Sequence, residues 1–291
     1  MSFTPRSFRK GLLLALTLLL ACPSFTAADD KPDSKLRVIA YNVYECTGWP
    51  KDRPRAHQAT AQGQMPQRFA MELALHSPDI INLSEAPKEP VVAEIARLLK
   101  MNYVFFPSGG KWPGAILTRH KIVRSANAPD LHSTDDKTLF TRHWGMAELE
   151  LTGGKSLVVH SAHLHPSDTA IRQREIAAML ASMKGDLAAG RSMILMGDLN
   201  HEPLPPEYDL WLKGGWVDGH SIGKPENDQF TFAGDDLKRR IDYVFAAGPL
   251  ARSIIESRPL SEGAFRLNTA DPLAFSLSDH FPQLCVFELA K

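Results

Sequence analysis

Cysteine is scarce in this chain, which contains three among its 291 residues. Cys22 lies in an apolar N-terminal segment, so a processed chain would keep Cys46 and Cys285. These two positions are far apart in sequence, and a bridge depends on a geometry that spacing alone does not give. We expect two independent thiols, although a disulfide would be permitted outside the cytoplasm.

An excess of basic charge is also missing. Lysine plus arginine number 33, and so do aspartate plus glutamate. Removal of residues 1–28 would take away three basic residues and leave a net charge of about −3. Proteins that grip long nucleic acids usually show a basic excess, because neutralising phosphates drives that binding. The composition therefore argues against an extended polynucleotide footprint, but it does not exclude a nuclease that makes few contacts.

A membrane-spanning run is missing as well. The apolar run Leu12–Ala21 is too short to span a bilayer, which takes about 20 residues. It follows a basic segment and predicts a signal peptide over residues 1–28, cleaved after Ala28. As an alternative, the residues before Cys22 resemble a bacterial lipoprotein signal in which that cysteine carries the lipid. Both routes predict an exported protein, periplasmic or secreted.

The rest of the chain shows no repeat and no linker rich in proline and glycine. This predicts a flexible lead at residues 29–35 and a single domain over 36–291. Many predicted strands lack a helical crossover, which indicates an α/β (α+β) fold with two packed mixed sheets and helices outside. Strands are predicted at 36–43, 79–85, 103–106, 115–119, 143–151, 156–164, 192–199, 240–245 and 281–289, helices at 65–76, 91–100, 168–184 and 207–212, and a loop at 46–64.

The strongest local signal is the segment 196–200, Met-Gly-Asp-Leu-Asn. Asp198 and Asn200 are two residues apart at a predicted strand end, so we expect both side chains on the same side. The carboxylate can act on a water nucleophile, and the neighbouring amide can hydrogen bond to a phosphate oxygen. The alternative is an Asx turn that closes the strand.

Other chemistry-bearing residues also fall at predicted strand ends. Glu85 follows the second strand, where a carboxylate suits a hard cation such as Mg²⁺. Asn42 ends the first strand, although a lone asparagine there is most often a turn former. His163 ends another strand, where it can donate a proton to a leaving oxygen. His160 and His165 lie on the same segment, and we expect structural or solvent-facing roles for them.

Two acid–histidine elements complete the set. Asp242 follows Arg240 and Ile241, and Asp279 directly precedes His280. A carboxylate paired with a histidine fixes its tautomer and raises its basicity, and an imidazolium held this way can stabilise the charge of a phosphoryl transition state. The alternatives are a salt bridge from Asp242 to a neighbouring arginine, and turn or helix capping by Asp279 and His280.

The ordered series Asn42, Glu85, His163, Asp198-x-Asn200, Asp242 and Asp279-His280 resembles the endonuclease/exonuclease/phosphatase superfamily, from about residue 36 to residue 289. The segment 115–119 is similar to a strand of that family that ends in arginine, here Arg119. The resemblance implies a four-layer α/β/β/α sandwich and a phosphoric ester hydrolase dependent on Mg²⁺ or Mn²⁺. Several members carry tyrosine at the position of His163, so this chain is more similar to the deoxyribonuclease and sphingomyelinase members.

The resemblance also implies roles for single residues. Metal binding falls to Glu85, helped by Asn42 and Asp279. Asp198 is implied to orient or deprotonate the attacking water. The Asp242–His280 pair is implied to stabilise the phosphorus centre, and His163 to assist the departing oxygen. Asn200 and Arg119 are expected to bind the substrate. Which histidine acts as a base stays open.

We therefore expect an exported phosphodiesterase or phosphatase that acts by in-line attack of water on a small or lipid-linked phosphate ester. The expected partner is the phosphate-ester substrate, with no obligate protein partner and a monomeric state. The alternatives are an extracellular nuclease and a non-catalytic binding protein on the same scaffold. Residues 46–64 and 107–114 are expected to frame the cleft and set the choice of substrate.

Overall fold

The computed structural model describes residues 34–289 except 133, 137, 224–228, 235 and 237, together with Met1. The predicted signal peptide, except Met1, and most of the predicted lead lie outside these residues, so both stay predictions. By internal contacts the chain divides into residues 1–31 and 32–291, and the second unit carries all the elements below. No helix in this described part combines the length and hydropathy that crossing a membrane requires.

Two six-stranded sheets form the centre of this unit. Their strands are β1 Lys35–Asn42, β2 Ile80–Ser84, β3 Asn102–Phe106, β4 Gly114–Thr118, β5 Lys121–Asn127, β6 His143–Glu150, β7 Ser156–His163, β8 Met193–Asp198, β9 Val217–Asp218, β10 Asp242–Ala247, β11 Ile254–Pro259 and β12 Gln283–Glu288. The first sheet has the order β11-β12-β1-β2-β4-β3, and the second has the order β5-β6-β7-β8-β10-β9. Each sheet contains one parallel pair, β1 with β2 and β7 with β8, among antiparallel neighbours. Both sheets are therefore mixed, as predicted.

Seven α-helices accompany the sheets in the described part of the chain, and α2, α3, α5 and α6 cover their outer faces. The helices are α1 Pro54–Ala61, α2 Met65–Ala74, α3 Glu89–Leu99, α4 Ala128–Leu131, α5 Thr169–Ala188, α6 Glu207–Lys213 and α7 Gly219–Gly223, with short 3-10 turns at Tyr44–Cys46, Gly248–Arg252 and Gly263–Phe265. Buried residues of α2 and α3 join one apolar cluster with the first sheet, and those of α5 and α6 join another with the second. Because a strand points alternate side chains to opposite faces, β1 can serve two clusters at once. Ile39 and Tyr41 face the helices, whereas Val38 and Ala40 pack between the sheets. The result is the four-layer α/β/β/α sandwich that the resemblance implied.

Several elements differ from the sequence predictions. The predicted loop at 46–64 contains α1, which buries only small residues such as Ala56 and Ala59. Its sequence therefore lacks the large apolar residues that mark an amphipathic helix. Strands β5 and β11 were not predicted, because each lies at a sheet edge with several exposed, polar positions. Cys46 and Cys285 are buried, unpaired thiols, as expected.

Gly197 is the position where a substitution should damage the fold most. A Cβ atom there would lie 1.9 Å from the carbonyl oxygen of Ala162, and its φ is +142°. We expect Gly197→Ala to lower the free energy of unfolding by about 4 kcal/mol or more, because a backbone atom cannot move aside as a side chain can. Urea unfolding measures this loss.

The matched control is Gly63→Ala. Gly63 also has a positive φ, +66°, but no atom lies within 4 Å of the added Cβ. Its cost should be only that of the left-handed conformation, about 1 kcal/mol. Equal losses for the two variants would show that the close approach of β7 and β8 is not what requires glycine.

Candidate active site

The ends of several strands meet at one edge of the sandwich. Parallel pairing places the last residues of β1 and β2 together in the first sheet and those of β7 and β8 together in the second. In the second sheet, Asp198 pairs with His163 on one side and with Asp242, the first residue of β10, on the other. The sheets join here, because the Asn42 side-chain amide donates a hydrogen bond to Asp198 Oδ2 at 3.0 Å. Residues that are distant in sequence thus converge as predicted.

Asp198 lies at the centre of this cluster and is 2 % exposed. Its Oδ2 is 3.4 Å from Nε2 of His163 and 3.8 Å from Nε2 of His280. Burial raises the pKa of Asp198 to about 7, and the nearby Asp242 carboxylate adds to this, against the opposing effect of His280. A carboxylate with these properties can accept a proton from water near neutral pH.

His280 is held between two carboxylates. Its Nδ1 is 2.8 Å from Oδ2 of Asp242, which is fully buried, and its Nε2 faces Asp198. Burial alone would lower the pKa of His280, but Asp242, Asp198 and Asp279 together raise it to about 10. The ring is therefore an imidazolium at neutral pH. The neighbouring arginines bind elsewhere: Arg240 pairs with Asp218 and Arg239 with Glu202.

Glu85 and Asp279 form the more open side of the cluster. Glu85 follows β2 with a φ of +50° and is half-buried, as is Asp279. Burial raises the pKa of Glu85 and the charge of Asp279 adds to this, whereas a hydrogen bond with the Asn42 side chain lowers it. Asn42 therefore connects Glu85 to Asp198.

Asn200 lies beside the cluster, but not because alternate residues of a strand share one face, as the sequence predicted. Strand β8 ends at Asp198, and Asn200 has a φ of +54°. Its backbone N–H donates to Asp198 Oδ1 at 3.1 Å, and its side-chain amide donates to the carbonyl of Leu164 at 3.1 Å. The Asx turn and the site are therefore both present, because one oxygen of Asp198 closes the turn and the other faces the histidines.

Arg119 is not at this site, so its predicted role in substrate binding was wrong. In the antiparallel pair, Ser84 lies opposite Gly114, and Ile80 lies opposite Thr118. Arg119 therefore follows the far end of β4, beside the start of β2. There its Nε donates to the carbonyl of Pro78 at 2.9 Å. The two rival histidines are structural: His160 accepts from Trp144 Nε1, and His165 accepts backbone N–H groups of Ser167 and Asp168.

Arg142 is a residue that the sequence analysis missed. Its Nε donates to His163 Nε2 at 2.9 Å, and its charge acts on both Asp198 and Glu85. Burial lowers the pKa of His163 well below its ordinary value, and the charge of Arg142 adds to this. A lone arginine before a strand carries no sequence signal. The pairing of His143 with His163 would have shown that Arg142 reaches the same edge.

A second polar layer lies beneath the cluster, between the sheets. Asn82 accepts a hydrogen bond from Ser161, whose hydroxyl is also 2.9 Å from Nε2 of His143. All three side chains are at most 1 % exposed. Ser84, on the same face of β2 as Asn82, accepts from the backbone N–H of Asp198 at 3.4 Å. Buried networks of this kind restrict the groups above them to one arrangement.

The residues of the site fit a divalent cation. Asp198, Asp242 and His280 offer ligand atoms that all lie within 4.8 Å of one another. Both nitrogens of His280 already face carboxylates, however, and a protonated ring is no ligand. Glu85 and Asp279 repel each other on the open side of the cluster, where a hard cation with oxygen ligands would relieve the repulsion.

Histidines buried away from solvent should make the fold sensitive to acid. Burial lowers the pKa of His160 and of His201 to about 4, from an ordinary value of 6.5. The stability they contribute is fully present above pH 6.5 and is lost as the pH falls towards 4, because only the unfolded chain takes up their protons in this window. We expect His160→Gln, which keeps an acceptor for Trp144, to reduce the mean slope of unfolding free energy between pH 6.5 and 4.5 by about 1 kcal/mol per pH unit.

The control for this experiment is His57→Gln, at an exposed position. Urea unfolding at several pH values should give the unchanged protein and this control the same slope. The same slope for His160→Gln would contradict the assignment of acid sensitivity to the buried rings.

Comparison with known proteins agrees with this architecture. A family model described as the Endonuclease/Exonuclease/phosphatase family matches residues 39–280. Among curated proteins, no sequence matches this chain at a significant level. Solved structures similar to it include truncated TDP2 of Caenorhabditis elegans, with 19 % identity, a TM-score of 0.64 and coverage of 88 % of this chain and 98 % of that one.

Two bacterial structures are similar to the same degree. A mannosyl-6-phosphatase of Bacteroides thetaiotaomicron has 19 % identity and a TM-score of 0.66, covering 86 % of this chain and 98 % of that one. An endonuclease/exonuclease/phosphatase of Bacteroides vulgatus has 15 % identity and a TM-score of 0.67, covering 88 % and 99 %. At these identities the likeness concerns the fold, whereas the family match extends over most of the sequence. The chain therefore belongs to the endonuclease/exonuclease/phosphatase family.

Proposed function

We propose that the protein is an exported, divalent-metal-dependent phosphoric ester hydrolase that uses water as the nucleophile. The observation that carries this proposal is the buried Asp198 carboxylate, which lies between the Asn42 amide, two imidazoles and the Asp242 carboxylate. Family membership supports a phosphoesterase. Export rests on the predicted signal peptide alone.

Glu85 would hold Mg²⁺ or Mn²⁺, with Asn42 and Asp279 as further oxygen ligands. Bound there, the cation would neutralise charge on the phosphoryl group as a Lewis acid. Glu85 and Asp279 are half-buried and lie on the open side of the cluster. A phosphate ester can therefore reach this position without a change in the fold.

The protein's own residues would then divide the remaining tasks. Asp198 orients the attacking water and accepts its proton as the new bond to phosphorus forms in line with the breaking one. The His280 imidazolium, fixed by Asp242, and the Arg142 guanidinium donate hydrogen bonds to phosphoryl oxygens. The departing alkoxide takes its proton from solvent.

His163 receives a revised role in this proposal. Its Nε2 already accepts from Arg142, and burial keeps the ring neutral. We therefore assign it to positioning Arg142 against the phosphate, in place of protonating the leaving oxygen. Asn200 supports Asp198 through its backbone N–H, and its predicted contact with a phosphate oxygen remains part of the proposal.

A substrate panel tests the proposed function. The protein, purified without its N-terminal segment and supplied with Mg²⁺ or Mn²⁺, should hydrolyse at least one of bis-p-nitrophenyl phosphate, p-nitrophenyl phosphate, sugar or inositol phosphates, phospholipids and DNA. Asp209→Ala, at a partly exposed position of α6, serves as an active control. No metal-stimulated hydrolysis of any of these esters would refute the proposal and favour a binding protein.

A nuclease is the second candidate function. The balanced charge favours a small substrate over a long polynucleotide. Nicking of a supercoiled plasmid with Mg²⁺ present, at a rate comparable to that on small esters, would favour the nuclease.

A further inference from the structure

A groove beside the proposed active site has no role in the proposed hydrolysis. It has a volume of about 790 Å³ and lies between residues 107–109, the end of β5 and the loop before β6. Arg142 lines it and also contacts His163. A phosphoryl group held by Arg142 would therefore have its alcohol portion within reach of this groove.

The charges along the groove nearly cancel. Asp136 is neutralised by Arg174 at 2.6 Å and accepts hydrogen bonds from Thr138. The remaining charged groups are the exposed carboxylate of Asp135 and the guanidinium of Arg142, whose charges have opposite signs. A second phosphate on the alcohol, as in a polynucleotide, would meet no free cation beyond Arg142 among the described lining residues.

Two aromatic rings at or near the groove, Phe140 and Trp112, already have partners. Phe140 is 3 % exposed and packs between His132 and Trp144, with ring centroids 5.0 and 4.9 Å away. Trp112 lies under the cations of Lys111 and Arg142, at 4.4 and 5.9 Å. Stacking of a base or binding of a quaternary ammonium is strongest on an open ring face, and these two rings already have aromatic or cationic partners.

An acyl chain is also a poor match. Among the described residues, the large apolar side chains with high exposure are at other places, such as Met71, Leu75 and Leu204. The groove instead offers the hydroxyls of Ser108 and Thr134, the amide of Asn127 and the carboxylate of Asp135, beside the aliphatic Leu139. Short polar groups around an aliphatic face suit a ring that has hydroxyls at its edges and C–H groups on its face.

We propose that this groove binds the alcohol part of the substrate, and that this alcohol is a neutral, polyhydroxylated ring, as in a sugar phosphate. The inference rests on the proposed phosphoesterase function and names its substrate class. Arg142 would then hold the phosphoryl group at one end of the groove, while Ser108 and Asp135 hydrogen bond the hydroxyls further along.

The experiment compares two substrates in matched variants. Hexose 6-phosphates fill the groove, whereas p-nitrophenyl phosphate has no hydroxyls to bind there. The double variant Ser108→Ala/Asp135→Ala should lower kcat/KM for the hexose phosphates about tenfold or more, chiefly through KM, because it removes two hydrogen-bonding groups. With p-nitrophenyl phosphate it should stay within about twofold of the unchanged protein, since only the phosphoryl group is shared.

The control is Asp209→Ala, which removes a carboxylate on α6 outside the groove and should leave both substrates unaffected. Equal losses on both substrates, or no loss on either, would overturn the proposal. So would a preference of the unchanged protein for a nucleotide or a phospholipid over every hexose phosphate, although the phosphoesterase function would then stand. If no ester at all is hydrolysed, the proposed function fails together with the inference.

Discussion

Asp198→Asn is expected to lower kcat for phosphate ester hydrolysis by about 10³-fold or more, with little change in KM. The asparagine has nearly the same shape and keeps an oxygen for the Asn42 amide, but it cannot accept a proton from water. Removal of the charge also relieves the repulsion that Asp242 exerts on this buried carboxylate. The fold should therefore survive, and we expect the free energy of unfolding to change by less than about 2 kcal/mol.

The measurement is steady-state kinetics together with urea unfolding, with Asp209→Asn on α6 as the control. Asp209 is partly exposed and pairs with Lys213 at 3.7 Å, so its loss should leave kcat and stability nearly unchanged. A variant of Asp198 that folds normally and keeps kcat within about tenfold would show that this carboxylate is not the acceptor of the water proton.

The Asp242–His280 pair should act as one unit. We expect His280→Gln and Asp242→Asn each to lower kcat about 10²- to 10³-fold, and the double variant to lose little more than the worse single one. The reason is the 2.8 Å contact between Nδ1 of His280 and Oδ2 of Asp242. Without the carboxylate the ring loses its orientation and the largest of the effects that raise its pKa.

Kinetics of the four proteins of this double-mutant cycle give the result directly. If the two losses multiplied, the carboxylate and the ring would act independently, and the proposed pairing would be wrong. Thermal unfolding of each variant accompanies the cycle. Because Asp242 is fully buried, its substitution can also destabilise the fold, and thermal unfolding distinguishes that effect from loss of the pair.

The sequence predicted the convergence of the site because strand ends carry it. Asn42 and Asp198 are the last residues of β1 and β8, and Asp242 is the first residue of β10. Their flanking residues form continuous apolar runs, which locate the strand ends well. The sandwich of two sheets was likewise predictable, because its central strands are buried along most of their length.

Other features depend on pairing between strands, which a single sequence does not contain. The resemblance implied that Arg119 binds the substrate, but β4 runs antiparallel to β2, so its far end lies away from Glu85. Arg142 was missed for a related reason: it lies at the site only because β6 pairs with β7, and a single sequence does not show that pairing. Helix α1 escaped prediction because its buried positions are alanines.

The most direct test of the central claim is Mn²⁺ binding to the metal-stripped protein, followed by electron paramagnetic resonance, in the unchanged chain and in Glu85→Gln, with hydrolysis measured in the same samples. We predict that the unchanged protein binds Mn²⁺ and regains hydrolysis on its addition. Glu85→Gln should lose most of both while remaining folded. Full Mn²⁺ binding and full hydrolysis in Glu85→Gln would contradict the account.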